Sequence, residues 1–403
     1  MDKKLYLNQE IDGQNNVVQD QATEDTSNLI AENPEKIPAQ RSKFYKNFMR
    51  TVQEMDDVAL FLMILAMMVL LLTCVAAYFK YRGHYFQINP TQTLTPALAA
   101  MITIKLKHKN YPKRSFNFYI TCGGIIISLV CLGIIPGTYS EIFINISVIV
   151  FLKLLWSEDK KVAEKWGFRG GNFKRTLKWL FLYMILILIV STVTFLVAYL
   201  LYSYTDLFKT VYYQGEYIGV ERLLTLLTED SSVSRPGFIY FLYILMPILG
   251  FCTLFGEEYG WRFFLQPRLQ KKFGKIGGVV LLGFIWAIWH FNNEYFMAMP
   301  EIIKSFGYTS KSYFLFVCTV RIITEIFYAI WFAYFYEKSR SIWCMVLIHG
   351  LHTAMSAWGL FVIAFGYKGL AVQTIILLLI SIPFLRSDVF RQNKSGNLEN
   401  LTN

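Results

Sequence analysis

Two adjacent carboxylates followed by an arginine are the first group in this sequence that could do chemistry. Glu257 and Glu258 come after a long apolar run, and Arg262 stands four residues after Glu258. On a helix, Glu258 and Arg262 share a face and can pair, while Glu257 lies about 100° away. A carboxylate in apolar surroundings can act as the general base that activates water. Taken alone, the group also fits an ion pair at a solvated helix end.

Histidines form two further candidate groups, each within an apolar run. His290 ends the sequence WAIWH, and His349 begins the sequence HGLHT, in which Thr353 lies one helical turn later and His352 flanks the same face. Ionisable groups inside a membrane span are costly, so each is a functional candidate. The alternative for each histidine is a hydrogen-bonded residue at a helix interface.

Arg321 and Glu325 form another pair with i, i+4 spacing inside an apolar run. We interpret this pair mainly as a buried structural ion pair, with support of a neighbouring site as the alternative.

The helices that carry the candidate residues should bring them to similar depths. Glu257 lies 17 residues before Gly274, and His290 lies 16 residues after it. At a rise of 1.5 Å per residue, both are about 22–26 Å from that turn. His349 lies about 12 Å into its own run by the same rise, and Gly256 is expected to break the helix before Glu257. We therefore expect Glu257, His290 and His349 to converge on one polar cavity within the membrane region.

The composition indicates a membrane protein. Of 403 residues, 55% are apolar and 17% are charged, and the mean hydropathy is +0.39. A soluble domain has about 25% charged residues, so a soluble enzyme is excluded. The six cysteines all lie in apolar runs without a CxxC pair. This pattern indicates small buried side chains and excludes a disulfide framework or a cysteine zinc site.

The apolar runs predict an all-α polytopic bundle of about 8–10 transmembrane helices. Residues 1–57 are expected to be a disordered cytoplasmic tail, residues 58–385 the bundle, and residues 386–403 a cytoplasmic tail. The run at 93–104 is short for a bilayer-crossing helix. The ten predicted spans are 58–79, 93–104, 116–136, 141–156, 179–202, 237–256, 276–292, 313–336, 341–365 and 369–385.

The distribution of basic residues predicts the orientation of the chain. The net charge is +11. The predicted inner segments carry about three times as many Lys and Arg residues as the outer ones, as the positive-inside rule requires when both termini are cytoplasmic. This asymmetry accounts for the positive net charge, so nucleic-acid binding is not needed to explain it. The inner segments are expected to contact anionic lipids.

Three motifs in this order resemble those of a known membrane protein family. EEYGWR matches the pattern EExxxR, WAIWH resembles FxxxH with Trp286 in place of Phe, and HGLHT resembles HxxxN with Thr353 in place of Asn. Their order and spacing resemble the CPBP family of CAAX prenyl proteases and bacteriocin-processing intramembrane proteases, also called the Abi family. Residues 94–100 are similar to a small-residue segment that precedes that core. The resemblance covers about residues 93–365.

The resemblance implies a role for each residue of the first two motifs. Glu257 would activate the attacking water as general base, and His290 would orient that water. Glu258 and Arg262 would hold the motif in shape. Glu257, His290 and His349 are also a set that can bind zinc. Because the sequence has no HExxH motif, metal-independent hydrolysis without a cofactor is favoured, and a zinc enzyme stays the alternative.

The third motif carries the departure that bears most on catalysis. The resemblance implies that His349 stabilises the oxyanion of the scissile carbonyl, together with an Asn. Thr353 offers one hydroxyl donor where the Asn has an amide NH₂. The loss of one oxyanion donor costs about 10²–10³ in rate, unless Thr353 or His352 compensates.

The sequence therefore predicts an intramembrane endopeptidase of a bacterial cell membrane. Its substrate would be a membrane-associated peptide or protein, such as a bacteriocin leader or a signalling peptide. The alternative is a non-catalytic membrane protein that keeps the fold and serves in bacteriocin self-immunity or regulates a partner. A solute transporter is disfavoured because no half-sequence is repeated.

Overall fold

The computed structural model describes most of the chain between residues 36 and 391. By contacts, the chain divides into two compact units, Met1–Asp56 and Asp57–Asn403. The described residues are 36–84, 88–168, 171–213, 216–219, 221–222, 251–297, 303, 306–355, 362 and 365–391.

Helices make up nearly all of the described structure. A π-helix, Tyr259–Leu265, joins α9 to α10, and a 3₁₀ turn, Asp206–Phe208, precedes an antiparallel hairpin of β1 (Thr210–Tyr213) and β2 (Glu216–Gly219). The helices are α1 (Lys36–Glu54), α2 (Asp57–Tyr81), α3 (Asn89–Gln92), α4 (Thr95–Lys107), α5 (Lys113–Cys131), α6 (Gly137–Trp156), α7 (Lys160–Lys165), α8 (Phe173–Tyr204), α9 (Phe251–Glu258), α10 (Gln266–Phe273), α11 (Lys275–Met297), α12 (Ser310–Ser339), α13 (Ile342–Met355), α14 (Tyr367–Leu385) and α15 (Asp388–Arg391).

Seven of the described helices are long and apolar enough to cross a membrane. They are α2, α5, α6, α8, α11, α12 and α14. Large apolar side chains on these helices are exposed, among them Met67, Leu70, Ile149 and Leu379. Such a surface suits lipid rather than water. The prediction of an all-α polytopic membrane bundle is confirmed.

The predicted span at 93–104 is wrong as a membrane crossing. Its helix, α4, has 13 residues, which makes it about 20 Å long, whereas the hydrocarbon core is about 30 Å thick. Nearly every residue from Thr95 to Ile104 is buried within the protein. The residues are apolar because they pack against other helices, and not because they face lipid.

Two other predicted spans are only partly described. Most of 237–256 lies outside the described residues, and α9 begins at Phe251. The run at 341–365 is described as α13, which has 14 residues and ends at Met355.

The predicted disordered tail at 1–57 is wrong for its last third. Lys36–Glu54 forms α1, while residues 1–35 lie outside the described residues. The sequence of α1 repeats an apolar residue every four positions, at Phe44, Phe48 and Val52. This spacing gives a helix one apolar face despite its low overall hydropathy.

Two glycines allow α4 to lie directly against the segment that carries the adjacent glutamates. A Cβ atom on Gly256 would come within 2.2 Å of the Thr93 carbonyl oxygen, and one on Gly260 within 2.3 Å of the Pro96 side chain. Small residues four apart permit this backbone approach between membrane helices. The break expected at Gly256 is wrong, because α9 runs through it without interruption.

A third glycine brings together the helices that carry the second group of candidates. A Cβ atom on Gly283 of α11 would lie 2.6 Å from the Ile326 Cα and 2.8 Å from the Glu325 carbonyl oxygen of α12. This close approach sets His290 of α11 near the charged side chains of α12.

Candidate active site

Glu258 links Arg262 and His349 in the centre of the bundle. Its Oε2 accepts a hydrogen bond from Arg262 Nε at 3.3 Å, and its Oε1 lies 2.7 Å from His349 Nδ1. Glu258 and Arg262 are fully buried, and His349 is buried as well. The pairing with Arg262 matches the expected i, i+4 relation, whereas the contact with His349 was not predicted. Glu258 therefore ties α9 to α13.

The π-helix places Arg262 against aromatic rings. Arg262 lies in this segment, and its guanidinium carbon lies 4.8 Å from the Trp286 ring centroid and 5.1 Å from that of Phe332. Within the described part of the chain, its Nη1 and Nη2 have no hydrogen-bond partner. The charge is therefore held by Glu258 and by the ring faces. Single π-helical turns are frequent at functional sites.

Glu257 has a different set of contacts from its neighbour. Its Oε2 accepts a hydrogen bond from Trp286 Nε1 at 3.1 Å, and both residues are buried. Its Oε1 accepts no hydrogen bond from the described residues. The site therefore holds one carboxylate whose two oxygens are both engaged, at Glu258, and one with an oxygen available, at Glu257.

His290 belongs to a charged group that is larger than the predicted ion pair. Arg321 Nη1 donates to Glu325 Oε1 at 3.0 Å, and its Nε donates to Glu294 Oε1 at 3.0 Å. His290 Nε2 lies 3.8 Å from the same Glu325 oxygen. Glu325 is buried, and its Oε2 has no hydrogen-bond partner among the described residues.

Trp286 lies close to both candidate histidines, His290 and His349. Its ring centroid is 6.2 Å from that of His290 and 5.5 Å from that of His349. The two imidazoles are therefore no farther apart than the sum of these distances. Glu257, His290 and His349 all contact this one indole. Sequence reasoning treated Trp286 only as a replacement for Phe; the signal it carried was the indole N–H, which a phenyl ring lacks.

Thr353 and His352 have other partners. Thr353 is exposed, and its hydroxyl donates to the His349 carbonyl oxygen at 3.0 Å. His352 is buried, with Nδ1 2.8 Å from the Tyr183 hydroxyl and its ring 4.1 Å from that of Tyr328. The helix that presents His349 thus directs His352 toward α8 and α12.

The residues proposed as zinc ligands are Glu257, His290 and His349. Across the described ranges, no group of three or more His, Cys, Asp or Glu side chains could hold a metal ion. His349 Nδ1 lies against the Glu258 carboxylate, a contact that metal-binding histidines commonly make with their other ring nitrogen, so a zinc enzyme stays the alternative.

Comparison with known proteins identifies the part of the chain that holds this site. Residues 239–355 match the family model described as Type II CAAX prenyl endopeptidase Rce1-like. No curated protein and no solved structure matches the chain. The matched residues include Glu257, Glu258, Arg262, His290 and His349, and the match confirms the resemblance seen in the motifs. Residues 239–355 are thus similar to the Rce1-like protease family, within a chain whose long apolar helices indicate a multi-pass membrane protein.

Proposed function

We propose that this protein is an intramembrane endopeptidase that hydrolyses a membrane-associated peptide or protein through a water activated by Glu257. The observation that carries the proposal is the difference between the two adjacent carboxylates. Both oxygens of Glu258 are taken by Arg262 and His349, whereas Oε1 of Glu257 has no hydrogen-bond partner among the described residues. A general base needs a free oxygen within hydrogen-bond reach of the water.

In the proposed reaction, Glu257 Oε1 takes a proton from water as the water oxygen attacks the scissile carbonyl carbon. His290 orients the water from the neighbouring helix. The tetrahedral intermediate then collapses, the carbon–nitrogen bond breaks, and Glu257 returns the proton to the leaving amine.

His349 can donate a hydrogen bond to the oxyanion when its imidazole carries a proton on both nitrogens. Its Nδ1–H donates to the Glu258 carboxylate, so a neutral imidazole would have no proton left on Nε2. The imidazolium form carries Nε2–H as well and can donate to the developing oxyanion. The carboxylate of Glu258 stabilises that cationic form.

The family description indicates the first substrate class to examine. A prenylated peptide ending in a CAAX box is the substrate class that the description of the matched family names. A bacteriocin leader or another membrane-bound peptide is the second class. The basic inner segments support a cell-membrane location with both termini in the cytoplasm and anionic lipids at that face.

A non-catalytic role in immunity or in regulation of a partner is the competing proposal. Thr353 favours it, because its hydroxyl donates to the backbone of its own helix. It is therefore not directed at a substrate carbonyl in the way that an oxyanion donor must be.

Purified full-length protein in vesicles that contain anionic lipid provides the test. The probes are an internally quenched farnesylated CAAX peptide and the same peptide without the lipid. We expect cleavage by the wild type and a loss of about 10²–10⁴ in rate for Glu257→Gln. The matched control is Glu54→Gln, which changes an exposed carboxylate and should keep the wild-type rate. Equal rates for Glu257→Gln and the wild type would contradict the peptidase proposal.

A further inference from the structure

Trp286 makes a contact that the residue expected at its position could not make. The motif it belongs to has Phe there, and a phenyl ring has no hydrogen-bond donor. In this protein, Trp286 Nε1 donates to Glu257 Oε2 at 3.1 Å. The two residues are only 2% and 4% exposed, so bulk water does not compete for the bond. The hydrogen bond is a feature of this chain and does not follow from the motif.

The indole is also held in place from several sides. It contacts the His349 ring edge-on, with an interplanar angle of 85°, and it lies beside His290 and Phe332. The Arg262 guanidinium lies on its face. A ring that is packed in this way presents its N–H in one fixed direction.

We propose that Trp286 is a positioning residue that holds the Glu257 carboxylate by Oε2 and thereby presents Oε1 to the attacking water. The inference rests on the proposed peptidase function. A glutamate side chain has several rotatable bonds, and a general base acts only within hydrogen-bond reach of the proton that it removes. An anchored oxygen fixes the other oxygen of the same planar group, which preorganises the base before substrate binds.

The variant Trp286→Phe removes the donor and keeps an aromatic ring. The matched control is Trp331→Phe, which also removes a buried indole donor, one that bonds to the Ser381 hydroxyl at 2.8 Å. With the farnesylated CAAX peptide, we expect kcat to fall about 10- to 100-fold for Trp286→Phe, the effect of a hydrogen bond to a charged group. KM should stay within about twofold, since the N–H acts on the base and not on substrate binding. Trp331→Phe should change neither constant.

A second variant separates loss of the N–H donor from loss of packing. Benzothienylalanine in place of Trp286 keeps the bicyclic shape and replaces the N–H by sulfur. If the bond positions Glu257, this side chain should lower kcat as much as Trp286→Phe does, at a wild-type melting temperature. A wild-type kcat with benzothienylalanine would overturn the proposal.

A substrate-free measurement separates this inference from the peptidase proposal. Carbodiimides label protonated carboxyl groups, and loss of a donor to the carboxylate favours the protonated form. Mass spectrometry of the labelled protein should show faster modification of Glu257 in both Trp286 variants and an unchanged rate in Trp331→Phe. Equal labelling of Glu257 in all four proteins would overturn the positioning role. If the wild type cleaves no peptide but the labelling differs as expected, the peptidase proposal fails and the positioning of Glu257 stands.

Discussion

Replacing Glu258 by alanine should destabilise the protein severely, because two partners depend on this one side chain. Arg262 pairs with Oε2 and His349 with Oε1, and neither Glu258 nor Arg262 has any exposed side-chain surface. The variant would leave the buried guanidinium without its hydrogen-bonded carboxylate, against the rings of Trp286 and Phe332. An unpaired charge of this kind has no route to water.

The expected size of the effect follows from that burial. Removing one partner of a buried ion pair costs about 3–5 kcal/mol, and loss of the charged acceptor of His349 adds about 1–3 kcal/mol. A typical domain has a free energy of unfolding of only about 5–15 kcal/mol. Glu258→Ala should therefore accumulate in membranes at a small fraction of the wild-type level.

An exposed pair with the same spacing gives the control. Arg50 and Glu54 are also i and i+4, and their side chains are 73% and 72% exposed. Such pairs contribute at most about 1 kcal/mol, so Glu54→Ala should behave like the wild type. The assay is the amount of epitope-tagged protein in membranes, together with the melting temperature in detergent. A wild-type amount and melting temperature for Glu258→Ala would show that the buried charge of Arg262 does not depend on Glu258.

Three further predictions concern packing, the third motif and pH. Gly256→Ala should lower the melting temperature, because its Cβ would meet the backbone of the segment before α4. Gly124→Ala, whose Cβ would have no atom within 4 Å, should leave the melting temperature unchanged. Equal melting temperatures for the two variants would contradict the close packing. Thr353→Asn should leave the cleavage rate unchanged or raise it, since it supplies the amide donor of the motif, and a tenfold fall would contradict this role. The cleavage rate should depend on pH in a bell shape. Protonation of Glu257 removes the base at low pH, and deprotonation of His349 removes the donor at high pH. A flat profile from about pH 5 to 9 would contradict these roles of Glu257 and His349.

Hydropathy predicted the long helices well and the short buried ones poorly. The runs at 58–79 and 369–385 correspond to α2 and α14 to within two residues at each end. The run at 93–104 is as apolar as a span, yet α4 is enclosed by protein. Hydropathy measures avoidance of water, and it does not distinguish a protein interior from lipid.

The site was predictable within one helix and less so between helices. The pair Glu258–Arg262 follows from i, i+4 spacing, because both positions share a helical face. The contacts Glu258–His349 and Glu257–Trp286 depend on how α9, α11 and α13 are rotated about their axes. That rotation is set by packing at positions such as Gly256 and Gly283, which periodicity in a single sequence does not reveal.

The central claim is that Glu257, and not its neighbour, activates the water. The most direct test measures the single-turnover cleavage rate of the farnesylated peptide per folded molecule for Glu257→Gln and for Glu258→Gln. We expect Glu257→Gln to keep the wild-type melting temperature and to lose about 10²–10⁴ in rate, whereas Glu258→Gln should lower the melting temperature. A Glu257→Gln enzyme that cleaves at the wild-type rate would contradict the central claim.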